Sequence, residues 1–451
     1  METKSISKFL DDEYKDYAMY VVENRALPSI IDGFKPTQRK VIFVANQKWK
    51  TGKEKDLKVF QLTGAIAADA HYHHGDASLN GTIITMAQKF KNSMPLLEEI
   101  GQFGSLRSPE SGAPRYISTK LSENFRKVYK DFDLLTKQYE EGDEIEPKYF
   151  LPIIPTILLN GGSGIAVGFS TNILNREPSR LIKACLSHLD GKKIQVLTPW
   201  INEFSGKHER DPDKDGRHNK WMMNGKIEII NSTTVRVTEL PPSMTYQKYE
   251  NHLNSLLEKK LITGYDDDCK SNVDYTIRFR RDILKDLLAE GELKLLWRLK
   301  LTQTESENIT LLDEHGKLKI FDKSEDIVKY FVDFRLGYYQ KRKEYLIDKY
   351  EDRLSYLSNR AKFIKAIIDD NLRVNNAPKK TIVLWLETEN FDERDGGYSY
   401  LLNMPIHTLT KEKYEELLSE VYEVESKLEE IKLAVPKDMY KKDLLELQES
   451  I

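Results

Sequence analysis

Tyr116 closes the run Ala113-Pro114-Arg115-Tyr116, which follows Gly101-Gln102-Phe103-Gly104. A phenol can attack phosphorus, but with a pKa near ~10 only about one part in a thousand is ionised at neutral pH. It needs cations to favour the phenolate and to absorb charge on a five-coordinate phosphorus. Arg115 is adjacent, His74 lies upstream, and Arg25 opens a basic stretch. From Arg25 to Lys58 there are nine basic and three acidic side chains, net +6, with Trp49 interleaved and Phe60 just beyond. Such a patch neutralises phosphates and makes binding steeply salt-dependent. The bland alternative is a solvated helical face.

Other clusters carry less chemistry. His71-Tyr72-His73-His74-Gly75-Asp76 has histidines that point in different directions, with no Cys or His pair following at zinc spacing, so no metal site is expected. Asp211-Pro212-Asp213-Lys214-Asp215-Gly216 imitates the start of a calcium loop but has Met222 where the closing Glu belongs. Asp266-Asp267-Asp268 reads as a solvated turn. The run from Gly161 to Gly168 resembles a phosphate cradle without the Lys-Ser/Thr of a P-loop, so no nucleotide site is expected on this chain.

Three textures position these residues. Residues 1 to about 145 mix short helical patterns with glycine turns. Within them, 57–70 and 78–91 each read as helices around a Gly75-Asp76 turn, a helix-turn-helix pattern. Residues 146 to 325 hold β-like runs at 226–230 and 234–238, the break Pro241-Pro242, and a helix over 245–257. Residues 326 to 451 are helical. There, Tyr350, Leu354, Leu357, Ala361, Ile364 and Ile368 form one heptad seam, and Tyr414, Leu417, Val421, Val424, Leu428 and Ile431 form another. Two matched seams predict an antiparallel hairpin with a small globular tip. Residues 411–451 carry seven basic and twelve acidic side chains, a surface that repels DNA.

Composition sets the bounds. A chain of 451 residues holds two to four domains at ~100–200 residues each. Lys and Arg number 69 against 72 Asp and Glu, which excludes a uniformly basic coat but not a local basic face. Two cysteines are too few for a disulfide framework, so a reducing, cytoplasmic compartment is expected. The longest apolar run, 150–159, is broken by Pro152 and Pro155 and is too short to span a bilayer.

Several motifs, in order and spacing, resemble the DNA breakage-reunion core of type IIA topoisomerases. They include Asp16-Tyr17-Ala18-Met19-Tyr20, Asn24-Arg25-Ala26-Leu27-Pro28, Asp32-Gly33-Phe34-Lys35-Pro36 and Gln38-Arg39-Lys40. They continue with Tyr72 to Asp76, Gly101 to Gly104, Ala113 to Tyr116, and Leu159 to Gly168 with Thr171-Asn172. Glu239-Leu240-Pro241-Pro242 and Phe334 to Tyr339 extend the likeness over nearly the whole chain. Tyr-His-His-Gly replaces the bacterial His-Pro-His-Gly, a eukaryotic flavour.

The resemblance implies an α+β, mostly helical chain in three domains. These are a winged-helix cleavage domain over 1–145, a β-sheet tower that flanks and bends DNA over 146–325, and a coiled coil with a dimerising exit gate over 326–451. It implies Tyr116 as the nucleophile that becomes a 5′-phosphotyrosine, with Arg115, Arg25 and His74 around the scissile phosphate. Lys35 and Arg39 match DNA-backbone contacts, Asn172 falls in a DNA-binding motif, and Ile165 matches an intercalating wedge. From the residues alone, Ile165 reads as plain core. With no ATPase or acidic metal-binding domain on this chain, the resemblance puts ATP and Mg²⁺ on a partner protein, as in multi-subunit phage members, which act in the host cytoplasm. The expected partners are double-stranded DNA, a second copy of the chain and that partner protein, without a membrane. Ala77 and Gly81 stand where bacterial members carry the Ser and acid that anchor quinolones, so strong quinolone sensitivity is not expected.

Two other readings of the residues stay open at this point. A non-catalytic winged-helix protein would shape DNA without a covalent adduct. A tyrosine recombinase would need His-x-x-Arg before the tyrosine, whereas His74 is followed at that spacing by Ala77.

Overall fold

A computed structural model describes residues 6–211, 219–270 and 272–451. The calcium-loop-like acids Asp213 and Asp215 lie outside them. The chain forms two compact units. One runs to Arg335 and takes back Asp443–Ile451, and the other is Leu336–Lys442. Both are rich in helix, with the strands in the first.

In the first unit, three helices carry the sequence pattern nearest the candidate chemistry: α1 (Pro36–Lys48), α2 (Val59–Asp69) and α3 (Asp76–Ala87). Pro36 suits the first turn of α1 because its missing N–H would have no helical partner there. The Lys35 N–H is satisfied by Gln38 Oε1 at 2.9 Å. The start of α2 repeats the device, Lys58 N–H to Gln61 Oε1 at 3.0 Å. Val59, Leu62 and Ile66 on α2, and Leu79, Ile83 and Met86 on α3, recur every three or four residues and are buried. The second helix of the predicted pair, α3, starts and ends earlier than its pattern predicts. Asp76, in its first turn, complements the helix dipole. At the other end, Gln88 turns extended, and its buried carboxamide donates to the Phe103 carbonyl at 2.7 Å.

The predicted strands are β7 (Lys226–Asn231) and β8 (Thr234–Glu239), preceded by β1 (Leu57–Lys58), β2 (Ser118–Thr119), β3 (Gly162–Ile165), β4 (Ser170–Ile173), β5 (Lys207–Arg210) and β6 (Lys220–Asn224). With β9 (Ile262–Asp267) and β10 (Tyr275–Phe279), they build an antiparallel sheet in the order β7-β8-β10-β9. Its buried face, including Val235, Val237, Tyr275 and Ile277, packs on Tyr249, Leu253 and Leu256. These belong to the helix Tyr246–Glu258, which Thr245 caps by accepting from Lys248 N–H. A second sheet pairs β5, β6 and β11 (Thr302–Ser306). The buried Arg176 donates to Glu307 at 2.7 Å, just past β11.

The helix Ser324–Ile368 runs on into the second unit. There it lies antiparallel to Lys411–Leu433: Lys343 Nζ donates to Lys432 O at 2.8 Å, while farther along Arg353 meets Glu420 at 3.3 Å. Leu357, Ala361 and Ile364 share a core with Leu417 and Val421, joined by Leu386, Phe391, Tyr398 and Leu401 from the segment between. Ile368, at the seam's end where the helix stops, is 38% exposed instead. Among the described residues, no helix is long and apolar enough to cross a membrane.

Candidate active site

The turn that bears Tyr116 is held by the start of α2. Tyr116 N–H closes the turn on Ala113 O at 2.9 Å. Val59 N–H donates to Ile117 O at 3.1 Å, and Phe60 N–H donates to Pro114 O at 3.2 Å. The first amides of a helix lack intrahelical acceptors, so the carbonyls around the tyrosine complete α2 while α2 fixes them. The pairs Leu57↔Thr119 and Lys58↔Ser118 continue the clamp. The Tyr116 side chain is 68% exposed, and the Arg115 guanidinium lies 4.9 Å from its ring centroid. A nucleophile offered to a large substrate needs that exposure, together with a fixed backbone.

A separate groove of about 1040 Å³ gathers Arg25, Lys35, His73, His74, Lys91 and Asn172. Neither Arg115 nor Tyr116 lines it. Burial pulls the pKa of Lys35 and of Lys91 below the usual lysine value, so both are less hydrated cations. Polar Ser78 and Thr82 of α3 face the same space, as does Gly81. The three histidines diverge: His71 meets Asp143 at 3.3 Å, whereas His73 and His74 line the groove. Among the described residues, no group of three or more His, Cys, Asp and Glu side chains is placed to hold a metal ion.

Arg39, expected to contact the DNA backbone, is paired within the chain. Its guanidinium grips the fully buried Asp32 through two bonds, of 2.7 and 3.0 Å. Burial opposes its charge, but the attraction and hydrogen bonds of Asp32, with help from Glu146, raise its pKa further. Asp32 in turn accepts from Phe34 N–H and Phe150 N–H. The pair braces the loop that delivers Lys35, which lines the groove.

The glycine run is a hairpin, not a phosphate cradle. β3 and β4 pair antiparallel, and Ile165 stands 88% exposed at the end of β3. A side chain at Gly164 would meet Ala26 O at 2.0 Å, so the hairpin backbone packs directly against the residue after Arg25. Gly161, at φ 66°, makes the sharp entry that an L side chain would strain. Asn172 exchanges backbone bonds with Asn308, and its carboxamide donates to Ser306 O at 2.9 Å. Asn308 Nδ2 donates back to Ser170 O and Oγ at 2.8 Å each. The apolar tip is therefore fixed from both sides.

Several residues of this arrangement give no distinctive signal in the sequence. Lys58 is there only one charge among nine in the basic stretch. Lys91 and Asn308 carry no local signal, and Asp32 stands out only as part of the Asp-Gly-Phe-Lys-Pro motif. Arg107, on the Tyr116 loop, is buried against Glu239 and also donates to Pro241 O at 2.6 Å.

The family model for the A subunits of DNA gyrase and topoisomerase IV matches residues 25–446. The chain belongs to that family. Among type IIA relatives it is 34% identical over 453 residues to the DNA topoisomerase medium subunit of Enterobacteria phage T4, spanning 99% of this chain and 100% of that one. It is 36% identical over 488 residues to DNA topoisomerase 2 of Plasmodium falciparum, covering 98% of this chain but 34% of the relative. It thus spans about a third of the long eukaryotic relatives. The crystal structure of the Plasmodium falciparum topoisomerase II DNA-binding, cleavage and re-ligation domain superposes with a TM-score of 0.84 at 35% identity, over 98% of this chain and 64% of that one.

Proposed function

We propose that this chain is the DNA-cleaving and religating component of an ATP-dependent type IIA topoisomerase, relaxing and decatenating DNA through transient double-strand breaks. The observation that carries the reading is the exposed Tyr116, backed by Arg115 and clamped on the start of α2, in a chain of the gyrase and topoisomerase IV family. In the forward step, the Tyr116 oxygen forms a bond to phosphorus and the bond to the 3′-oxygen breaks. Tyr116 loses its proton, the 3′-oxygen gains one, and the 5′-phosphate is left on the tyrosine. Religation is the reverse, and the bond energy kept in the phosphotyrosine diester makes it nearly isoenergetic. Arg115 offsets charge on the phosphoryl oxygens.

Because Arg115 and Tyr116 do not line the groove that holds Arg25, Lys35 and His74, we assign the complete site to a homodimer. One copy presents its tyrosine to DNA held by the other. The domains are read as a winged helix over 1–145, a tower over 146–325 and a coiled coil with a dimerising tip over 326–451. Ile165 is the wedge, entering a base step at a cost of a few kcal/mol that wrapped contacts offset.

Arg115 and Lys58 lie against Tyr116, and among the described residues no group of three or more His, Cys, Asp and Glu side chains is placed to hold a metal ion, so this donor set does not fit Mg²⁺. ATP and Mg²⁺ are assigned to a partner protein. Mixing the purified chain with that partner should yield ATP-dependent relaxation and decatenation, with a 5′-phosphotyrosine trapped by denaturant. Efficient relaxation by the chain alone would overturn the division of labour. A 3′ linkage would point to the recombinase class.

A further inference from the structure

Within the nucleophile's own motif the sequence offers one cation, Arg115. The fold brings in Lys58. Its side chain is exposed, yet its ammonium donates to the backbone carbonyl of Tyr116 itself at 2.9 Å. This bond completes a set. The Tyr116 N–H is bound to Ala113 O, the preceding Pro114 carbonyl is taken by Phe60 N–H, and the following Ile117 carbonyl is taken by Val59 N–H. Those three bonds are made by backbone, whereas the Tyr116 carbonyl is held by a side chain. A peptide carbonyl left to water leaves the peptide plane after Tyr116 free to rock, and with it the Cα–Cβ direction that aims the phenol.

We propose that Lys58 is a positioning residue for DNA cleavage. Its ammonium locks the peptide plane at Tyr116, so that the hydroxyl meets the scissile phosphate in line. The proposal rests on the reading of Tyr116 as the nucleophile. Lys58 acts through that residue's backbone and needs no contact with the reacting atoms. The effect belongs to rate and not to affinity, because a reacting group misplaced by ~1 Å loses about 100-fold in rate while the DNA remains bound through other phosphate contacts.

The alternative use of an exposed lysine in a basic stretch is a plain phosphate contact, and the two uses separate experimentally. In the complete topoisomerase, Lys58→Met should keep the parent's DNA affinity and the slope of log affinity against log salt. It should form the covalent complex about 10- to 100-fold more slowly at saturating DNA. Lys58→Arg, which can still reach the carbonyl, should recover most of the rate. The Lys58 N–H bond to Gln61 survives both substitutions, so the start of α2 stays capped. Parental cleavage at saturating DNA, with affinity lowered and the salt slope smaller by about 0.9, would make Lys58 a phosphate contact and overturn the proposal. Tyr116→Phe belongs in the same series. A covalent adduct from that variant would remove the nucleophile assignment, and the role of Lys58 with it, whatever the Lys58 variants do.

Discussion

The Lys35 ammonium donates to the carbonyl oxygen of Ser163 at 2.7 Å, two residues before Ile165. The cation that faces the groove is thus also a tether of the hairpin that carries the apolar tip. Burial has already pulled its pKa below the ordinary 10.5. A DNA phosphate favours the ammonium form, so binding takes up a proton wherever the free chain has lost one. DNA affinity should therefore fall with rising pH earlier than an exposed lysine would allow. Lys35→Met should flatten that alkaline limb, leaving the share of Lys91, which burial shifts the same way. Fluorescence anisotropy from about pH 7 to about pH 10 at constant ionic strength reads this, and superimposable profiles for parent and variant would refute it.

Tyr116→Phe should abolish covalent cleavage while leaving DNA binding within about twofold, because phosphate contacts supply most of the affinity. The side chain is 68% exposed, so losing its hydroxyl removes little that the fold depends on, and stability should stay within ~0.5 kcal/mol. A denaturant-trapped cleavage assay and a urea titration give the two readings. Residual cleavage at the parental rate would move the nucleophile elsewhere.

What could be read from the sequence was local. The helical stretch at 245–257 and the alternating 226–230 and 234–238 runs carry their own period, and an element formed at each. The Ala-Pro-Arg-Tyr motif marked the candidate nucleophile, while its turn and exposure came from the structure. What was hidden depends on partners far along the chain. Arg39 has the same composition signal whether it meets phosphate or Asp32, and only the closed loop reveals the carboxylate. Asn308 reaches the hairpin from 138 positions away, so no window of sequence could connect it with Ser170. The glycines from 161 to 164 matched a phosphate loop in composition. The close approach of Gly164 to Ala26 O shows that they serve backbone packing instead.

Arg107 gives a stability test. Its guanidinium reaches from the loop after Gly104 to Glu239, Pro241 O and Met244 O, with both charged side chains under 10% exposed. Burial lowers the Arg107 pKa and Glu239 partly restores it, leaving a charged, desolvated pair. Arg107→Met should destabilise by about 3–5 kcal/mol, because Glu239 is left buried without its counter-charge. Adding Glu239→Gln should recover a large part of the loss, as the amide oxygen can still accept from Ser205. Urea midpoints at unchanged m-value provide the comparison. Equal midpoints for Arg107→Met and the parent would show that the pair adds nothing net.

The hairpin tip supplies the last test, which compares two ways of weakening a wedge. Ile165→Ala removes the apolar group and leaves the hairpin bonds intact. At 88% exposure it should cost almost no stability, and it should lower the bend of a short duplex far more than the affinity for it. Asn308→Ala keeps Ile165 but deletes the two side-chain bonds to Ser170, while the backbone exchange with Asn172 persists. A loosened wedge still fits between bases but transmits less force to them, so the bend should fall to a value between those of the parent and Ile165→Ala. Energy transfer between dyes on the duplex ends ranks the three proteins. A parental bend in Ile165→Ala would leave the exposed isoleucine without a role in DNA, and a parental bend in Asn308→Ala would show that the backbone bonds alone hold the tip.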